Sequence, residues 1–136
     1  MIREIIRDEG FLALASEDAT VLDKQVAKDL AETLHHHEAS CIGMAANMIG
    51  VRKKIICIMV DGLPLTMLNP RIIAKKDPYQ ASEGCLSLKG MRNVMRYRWI
   101  RVVFQDLRMR KHERELEGRE AQAVQHECDH LDGIVI

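Results

Sequence analysis

Two histidines four residues apart flank a glutamate in the run His126-Glu127-Cys128-Asp129-His130. On a helix, positions i and i+4 share a face one turn apart. Two imidazoles so placed can hold one metal ion, and the glutamate between them can reach a water on that ion. That is the apparatus of metal-assisted amide hydrolysis. A third protein ligand must come from elsewhere. Downstream, residues 131–136 offer only Asp132, so an upstream cysteine is the better candidate. The same five residues could also lie on a solvated helix with no metal, and their context decides between the two readings.

Cys85 supplies that context. It stands in Glu83-Gly84-Cys85-Leu86-Ser87-Leu88, where a glycine on one side and a short apolar step on the other suit a tight turn into a strand. A thiolate there, with His126 and His130, makes a Cys-His-His site with one position open for water. Three protein ligands and an open position is the catalytic arrangement, whereas structural sites close with four. The ligand set accepts Fe2+, Zn2+, Ni2+ or Co2+ and does not choose among them. Cys57, inside the apolar run Ile55–Val60, and Cys128, between the metal-facing positions, read as small buried hydrophobes. Cys41 is left open. The trio His35-His36-His37 would point in three directions from a helix end and makes a poor tridentate site. A further segment, Cys41-Ile42-Gly43-Met44-Ala45-Ala46-Asn47-Met48-Ile49-Gly50, has small residues that let other backbone approach, or serve as a closely packed helix start.

The elements that must position these groups follow from periodicity. Residues 20–37 carry Val21, Val26, Leu30 and Leu34 on one side and charges on the other, predicting a helix capped by Thr20 or Asp18. Residues 54–60 predict a strand, Asp61-Gly62 a hairpin turn and residues 65–68 the returning strand. Asn69-Pro70 is expected to end that strand, because proline supplies no ladder donor, and residues 71–74 to form a separate short one. Residues 94–106 alternate as a strand, with 113–116 as its pairing partner. Residues 119–131 predict a helix bounded by Gly118 and Gly133. The expectation is one α+β domain over residues 1–136, with antiparallel strands packed around a C-terminal metal-binding helix and a further helix near the N-terminus.

Composition narrows the function classes. Twenty Lys and Arg balance twenty Asp and Glu. That leaves no overall basic surplus of the kind that marks a nucleic-acid binder, and no direct nucleic-acid site is expected. The start MIREIIRDEG places charges where an export signal needs an apolar stretch, and no run is long enough to span a membrane. The expected location is the cytoplasm, whose reducing conditions argue against disulfides among the four cysteines.

The three segments CIGMAANM, EGCLS and QHECDH, the last beginning at Gln125, resemble in order and rough spacing the GxGxAAxQ, EGCxS and QHExDH motifs of the peptide deformylases. Leu68-Asn69-Pro70, Arg96 leading into the following strand, and Gly133 after the metal helix extend the likeness over most of the chain from Cys41. The resemblance implies an enzyme that removes the formyl group from the N-terminal methionine of nascent polypeptides, usually with Fe2+. It implies Cys85, His126 and His130 as metal ligands and Glu127 as general acid and base. It implies the Leu86 N–H as an oxyanion donor, and Ile42, Gly43 and Ala123 beside the bound peptide. Formyl-methionyl nascent chains are the implied partners, with the ribosome as a candidate place of encounter. Glu83, Arg96 and Asp129 are candidates for an ionic network behind the ligands, or for ordinary surface charges.

The chain departs from the pattern at informative places. The family glutamine at the end of the first motif is Met48, whose thioether cannot donate a hydrogen bond. Asn47 is adjacent but would point about 100° away on a helix. The first glycine of that motif is Cys41, and Gln122 replaces a residue that is usually apolar. Three readings stay open: a working deformylase with the donor supplied otherwise, a related hydrolase of low activity or different N-acyl substrate, and a binder of protein N-termini without turnover.

Overall fold

The computed structural model describes all of residues 1–136. Five antiparallel strands form one sheet in sequence order: β1 (Gly43–Ala45), β2 (Ile55–Val60), β3 (Leu63–Cys85), β4 (Leu88–Gln105) and β5 (Lys111–Glu117). Three α-helices complete the fold: α1 (Glu9–Leu12), α2 (Lys24–His36) and α3 (Gly118–Leu131). This is the expected α+β arrangement. No helix is long and apolar enough to cross a membrane.

β2 reads Ile-Ile-Cys-Ile, and all four of those residues are fully buried. A strand buried on both faces needs cover on both, and α2 and α3 each pack on it. Ala27, Leu30 and Leu34 of α2 and Ala121, Val124 and Leu131 of α3 join β2 in one core. Each fully buried Leu or Ile contributes about 1.5–3 kcal/mol of transfer free energy. Thr20 and Asp23 form a reciprocal cap ahead of α2. Asp61 and Gly62 both have positive φ, the conformation that a two-residue turn between twisted strands requires.

The sequence expectation fails at Asn69-Pro70. The strand does not end there; residues 63–68 pair with β2, and β3 stays paired with β4 as far as Cys85, with shifts of register along the way. A register shift between Leu68 and Arg71 absorbs the proline, so no ladder donor is missed. Asn69 takes φ 51°, and its side chain holds the kink. Its amide donates to Ala19 O (3.0 Å) and Gln105 Oε1 (2.8 Å), and its Oδ1 accepts from the Ala19 N–H (2.8 Å). Residues 71–74 are therefore part of one long strand. Its length carries Glu83 and Cys85 from the sheet to α3.

Candidate metal centre

α3 is fastened where the ladder runs out. β5 stops opposite Trp99, and the chain turns into the helix. Two residues along β4, the Tyr97 N–H and C=O are both taken by the Gln125 side chain at 2.8 Å. One amide thus substitutes for the missing strand and fixes the rotation of α3. That rotation presents His126 and His130 to the end of β3.

There the three expected ligands converge. His126 Nε2 and His130 Nε2 lie 3.2 Å apart, Cys85 Sγ lies 3.4 Å from His130 Nε2, and all three atoms fall within 4.8 Å of one another. Tetrahedral bonds of about 2.0–2.1 Å to nitrogen and about 2.3 Å to sulfur place ligand atoms about 3.3–3.6 Å apart. The residues present fit a divalent ion. The donors are buried or half-buried. Burial disfavours charge on both imidazoles, but Glu127, Cys85 and Glu83 outweigh it at His126 and push its pKa far up. At His130, burial and the charge of His126 act together and push it down.

Behind His126 stands a closed ionic network. Glu83 Oε1 lies 2.8 Å from His126 Nδ1, and both Glu83 oxygens accept from Arg96 (2.8 and 2.9 Å). Gln122 donates to Glu83 Oε2 at 2.8 Å, and Arg96 reaches Asp129 at 2.7 Å. Burial alone would raise the Glu83 pKa; the bonds from His126, Arg96 and Gln122 instead lower it to about 2. Glu83, Arg96 and Asp129 are thus an organised scaffold rather than scattered surface charges. Gln122, where an apolar residue was expected, is drawn into it.

Glu127 is buried, and its Oε1 has no hydrogen-bond partner. Burial raises its pKa to about 7, against the lowering charge of His126. Gly43 is the residue that lets β1 pass beside it. A Cβ there would stand 3.0 Å from Glu127 Oε2 and 3.3 Å from Ile58 Cγ2. Ile42, Gly43, Cys85, Leu86, Ala123, His126 and Glu127 all line one cavity of about 560 Å³. A larger cleft of about 1210 Å³ runs along a different face of α3, and none of the three ligands lines it.

The first motif folds as a short strand and a 3-10 turn, Ala46–Ile49, rather than an α-helix. Met48 is buried, and its sulfur accepts the Ala45 N–H at 3.4 Å, so it offers the cavity no donor. Asn47 turns away from the cavity and donates to His130 O at 3.0 Å. Sequence reasoning did not find that role. A polar residue among small buried ones was the available signal. Nor did it find Arg7, which donates to Leu86 O at 2.6 Å and ties the N-terminal segment to the Cys85 turn. Cys41 lines the cavity rim and contacts His37 O, outside the ligand group. Cys128 is half-buried against the core, with a pKa pushed up to about 12 by burial, and Cys57 is fully buried. His35 pairs with Glu38 at 3.2 Å, and the rings of His36 and His37 meet edge-on.

Comparison with known proteins places the chain in a family. The profile of the polypeptide deformylase family matches residues 6–136. The peptide deformylase of Clostridium beijerinckii is 44% identical over 136 residues, all of both chains. That of Acetivibrio thermocellus is 36% identical over 143 aligned positions, 99% of this chain and 82% of the relative. Among solved structures, the peptide deformylase of Thermotoga maritima superposes with TM-score 0.87 at 29% identity, covering 99% of this chain and 94% of that one. The Ehrlichia chaffeensis enzyme gives TM-score 0.89 at 27% identity, covering 99% and 86%. This chain belongs to the polypeptide deformylase family.

Proposed function

We infer that this protein is a working peptide deformylase, hydrolysing the formamide at the N-terminal methionine of nascent polypeptides. The observation that carries the reading is the convergence of Cys85, His126 and His130 beside a cavity that Cys85, His126 and the buried carboxylate of Glu127 line, with one oxygen of that carboxylate unpartnered. Cys85, His126 and His130 would hold the metal. A divalent ion there would act as a Lewis acid on the formyl group and lower the pKa of water. Fe2+ is the proposed native ion, with Zn2+, Ni2+ or Co2+ as substitutes; the mixed sulfur and nitrogen set suits all four.

Glu127 takes the proton of the attacking water and delivers it to the leaving amine. A carboxylate with a pKa near 7 is matched to both halves of that task. The Leu86 N–H is proposed to donate to the formyl oxygen as charge develops. β1 is the edge strand of the sheet, so a peptide can lie beside Ile42 and Gly43 in extended form. Ala123, one turn before His126, leaves room for the methionine side chain. The substrates place the enzyme in the cytoplasm, at or near ribosomes.

Met48 is the feature that argues for a slower enzyme. No donor stands in its place, since Asn47 is committed to His130. Removing one oxyanion donor costs about 10²–10³ in rate, so Met48→Gln, nearly isosteric, is expected to raise kcat about tenfold or more. An unchanged kcat would mean that another group already supplies the donor. The activity itself is tested by formate release from a short formyl-methionyl peptide, with protein loaded anaerobically with Fe2+ or Ni2+. Turnover of formyl in preference to acetyl or propionyl peptides is expected. Turnover of another acyl group alone would establish a different hydrolase, and no turnover at full metal content would leave a binder of N-termini.

A further inference from the structure

The even charge of the whole chain conceals two oppositely charged regions. Residues 71–114, which include most of β3, all of β4 and the start of β5, carry twelve Lys and Arg against four Asp and Glu. The remaining residues carry eight against sixteen. Arg96, Arg101 and Arg110 are engaged in ion pairs; the other nine cations of this stretch are in none. Of its four carboxylates only Asp77 is unpaired.

The cations are densest in the middle of the β3–β4 hairpin. Lys75 and Lys76 lie opposite Ile100 and Trp99 in the ladder, and both lysines and Arg98 are exposed. Lys75 Nζ sits 4.6 Å from the centre of the Tyr97 ring, Lys76 Nζ 4.6 Å from that of Trp99, and the Arg98 guanidinium 4.4 Å from that of Tyr79. A stem laid along a ring holds its charge in place, so less freedom is lost when a partner binds. Arg71 and Arg114 extend the strip, facing β4 from its two neighbouring strands at Val103 and Val102. On the neighbouring strand Glu113 and Glu115 are taken by Arg101, which leaves the cations of β3 and Arg98 without a paired carboxylate. Unbalanced cations interleaved with aromatic rings are the footprint of a nucleic-acid contact.

We propose that this arm docks on the phosphate backbone of RNA, with Lys75, Lys76 and Arg98 at the centre of the contact. Lys76 lies with Trp99 on one face of the hairpin and Arg98 with Tyr79 on the other, so the cations line both sides of an extended arm along which a chain of phosphates can lie. Recognition by charge is tolerant of base sequence and sensitive to salt. None of the three central cations lines the cavity of Cys85 and Glu127, so an RNA and a peptide substrate can be held together.

The test is fluorescence anisotropy of a labelled single-stranded RNA of mixed sequence with the full-length, metal-loaded protein, titrated over a range of salt. Binding should weaken steeply as salt rises. The triple variant Lys75→Glu/Lys76→Glu/Arg98→Glu should bind at least about tenfold more weakly. The milder Lys75→Gln/Lys76→Gln/Arg98→Gln should lower the slope of log affinity against log salt by about 2, at about 0.7 per lost phosphate contact. Turnover of short formyl peptides should be unchanged in the Gln variant, which certifies its fold. Reversing Lys24 and Lys28 on α2 should leave RNA binding intact. No RNA binding at low salt would overturn the proposal, as would equal loss on reversing α2. So would capture by vesicles containing phosphatidylglycerol with indifference to RNA, which would assign the arm to a membrane.

Discussion

The two histidines of the candidate metal centre are held in opposite ways. His126 is oriented through its ring by a carboxylate, which an arginine and a glutamine hold in turn. His130 is oriented through its backbone, where Asn47 and the Gly133 N–H share its carbonyl, while its ring Nδ1 is buried without a partner. The first device is ionic, spans β3, β4 and α3, and sets a ring angle. The second is neutral and fixes where the helix sits. A ligating histidine gains basicity and a defined tautomer from a carboxylate on its other nitrogen. His126 has that support, and His130 depends on the placement of α3.

The largest way to break the contrast is Arg96→Met. It strands the buried Glu83 charge, and a buried pair broken on one side costs about 3–5 kcal/mol. Chemical denaturation should show that loss, and a shift below about 1 kcal/mol would mean that the network is dispensable. Glu83→Gln comes next. It keeps the shape and removes the charge, so metal affinity should fall about 10–100-fold, read by competition with a chelator.

The same residue carries a pH signature. Its folded pKa of about 2 lies below the ordinary 4.5, so its stabilisation is full above pH 4.5 and is lost as pH falls toward 2. Glu83→Gln should flatten the stability profile across that window. Asn47→Ala is the smallest change. It removes one of two bonds to the His130 carbonyl at a cost of about 1 kcal/mol. Metal release should quicken a few-fold without the pH signature. A loss as large as that of Glu83→Gln would erase the distinction between the two supports.

The same contrast explains what could be read from sequence. The convergence of Cys85, His126 and His130 was legible because a metal site demands particular residue types, two of them at helical spacing and one in a glycine turn, and the motif likeness named the same three. Glu83, Arg96 and Asp129 could be named as candidates because charges near a ligand need partners. Their closure into one network depends on the β3–β4 register, which spacing does not reveal. A polar Asn47 among small apolar residues marked the position, but its partner could not be read, since that depends on the fold bringing residues 47 and 130 together. Asn69-Pro70 misled because a local rule about proline was overridden by a kink that Ala19, fifty residues away, helps to hold.

The central claim is that binding the ion and doing the chemistry are separate tasks, given to Cys85, His126 and His130 on one side and Glu127 on the other. It is tested most directly by measuring metal content and formate release on one preparation of Glu127→Gln. The account predicts one ion per chain, as in the parent protein, with turnover of formyl-methionyl peptide nearly abolished. Parent-like turnover at full metal content would remove Glu127 from the reaction and contradict the account.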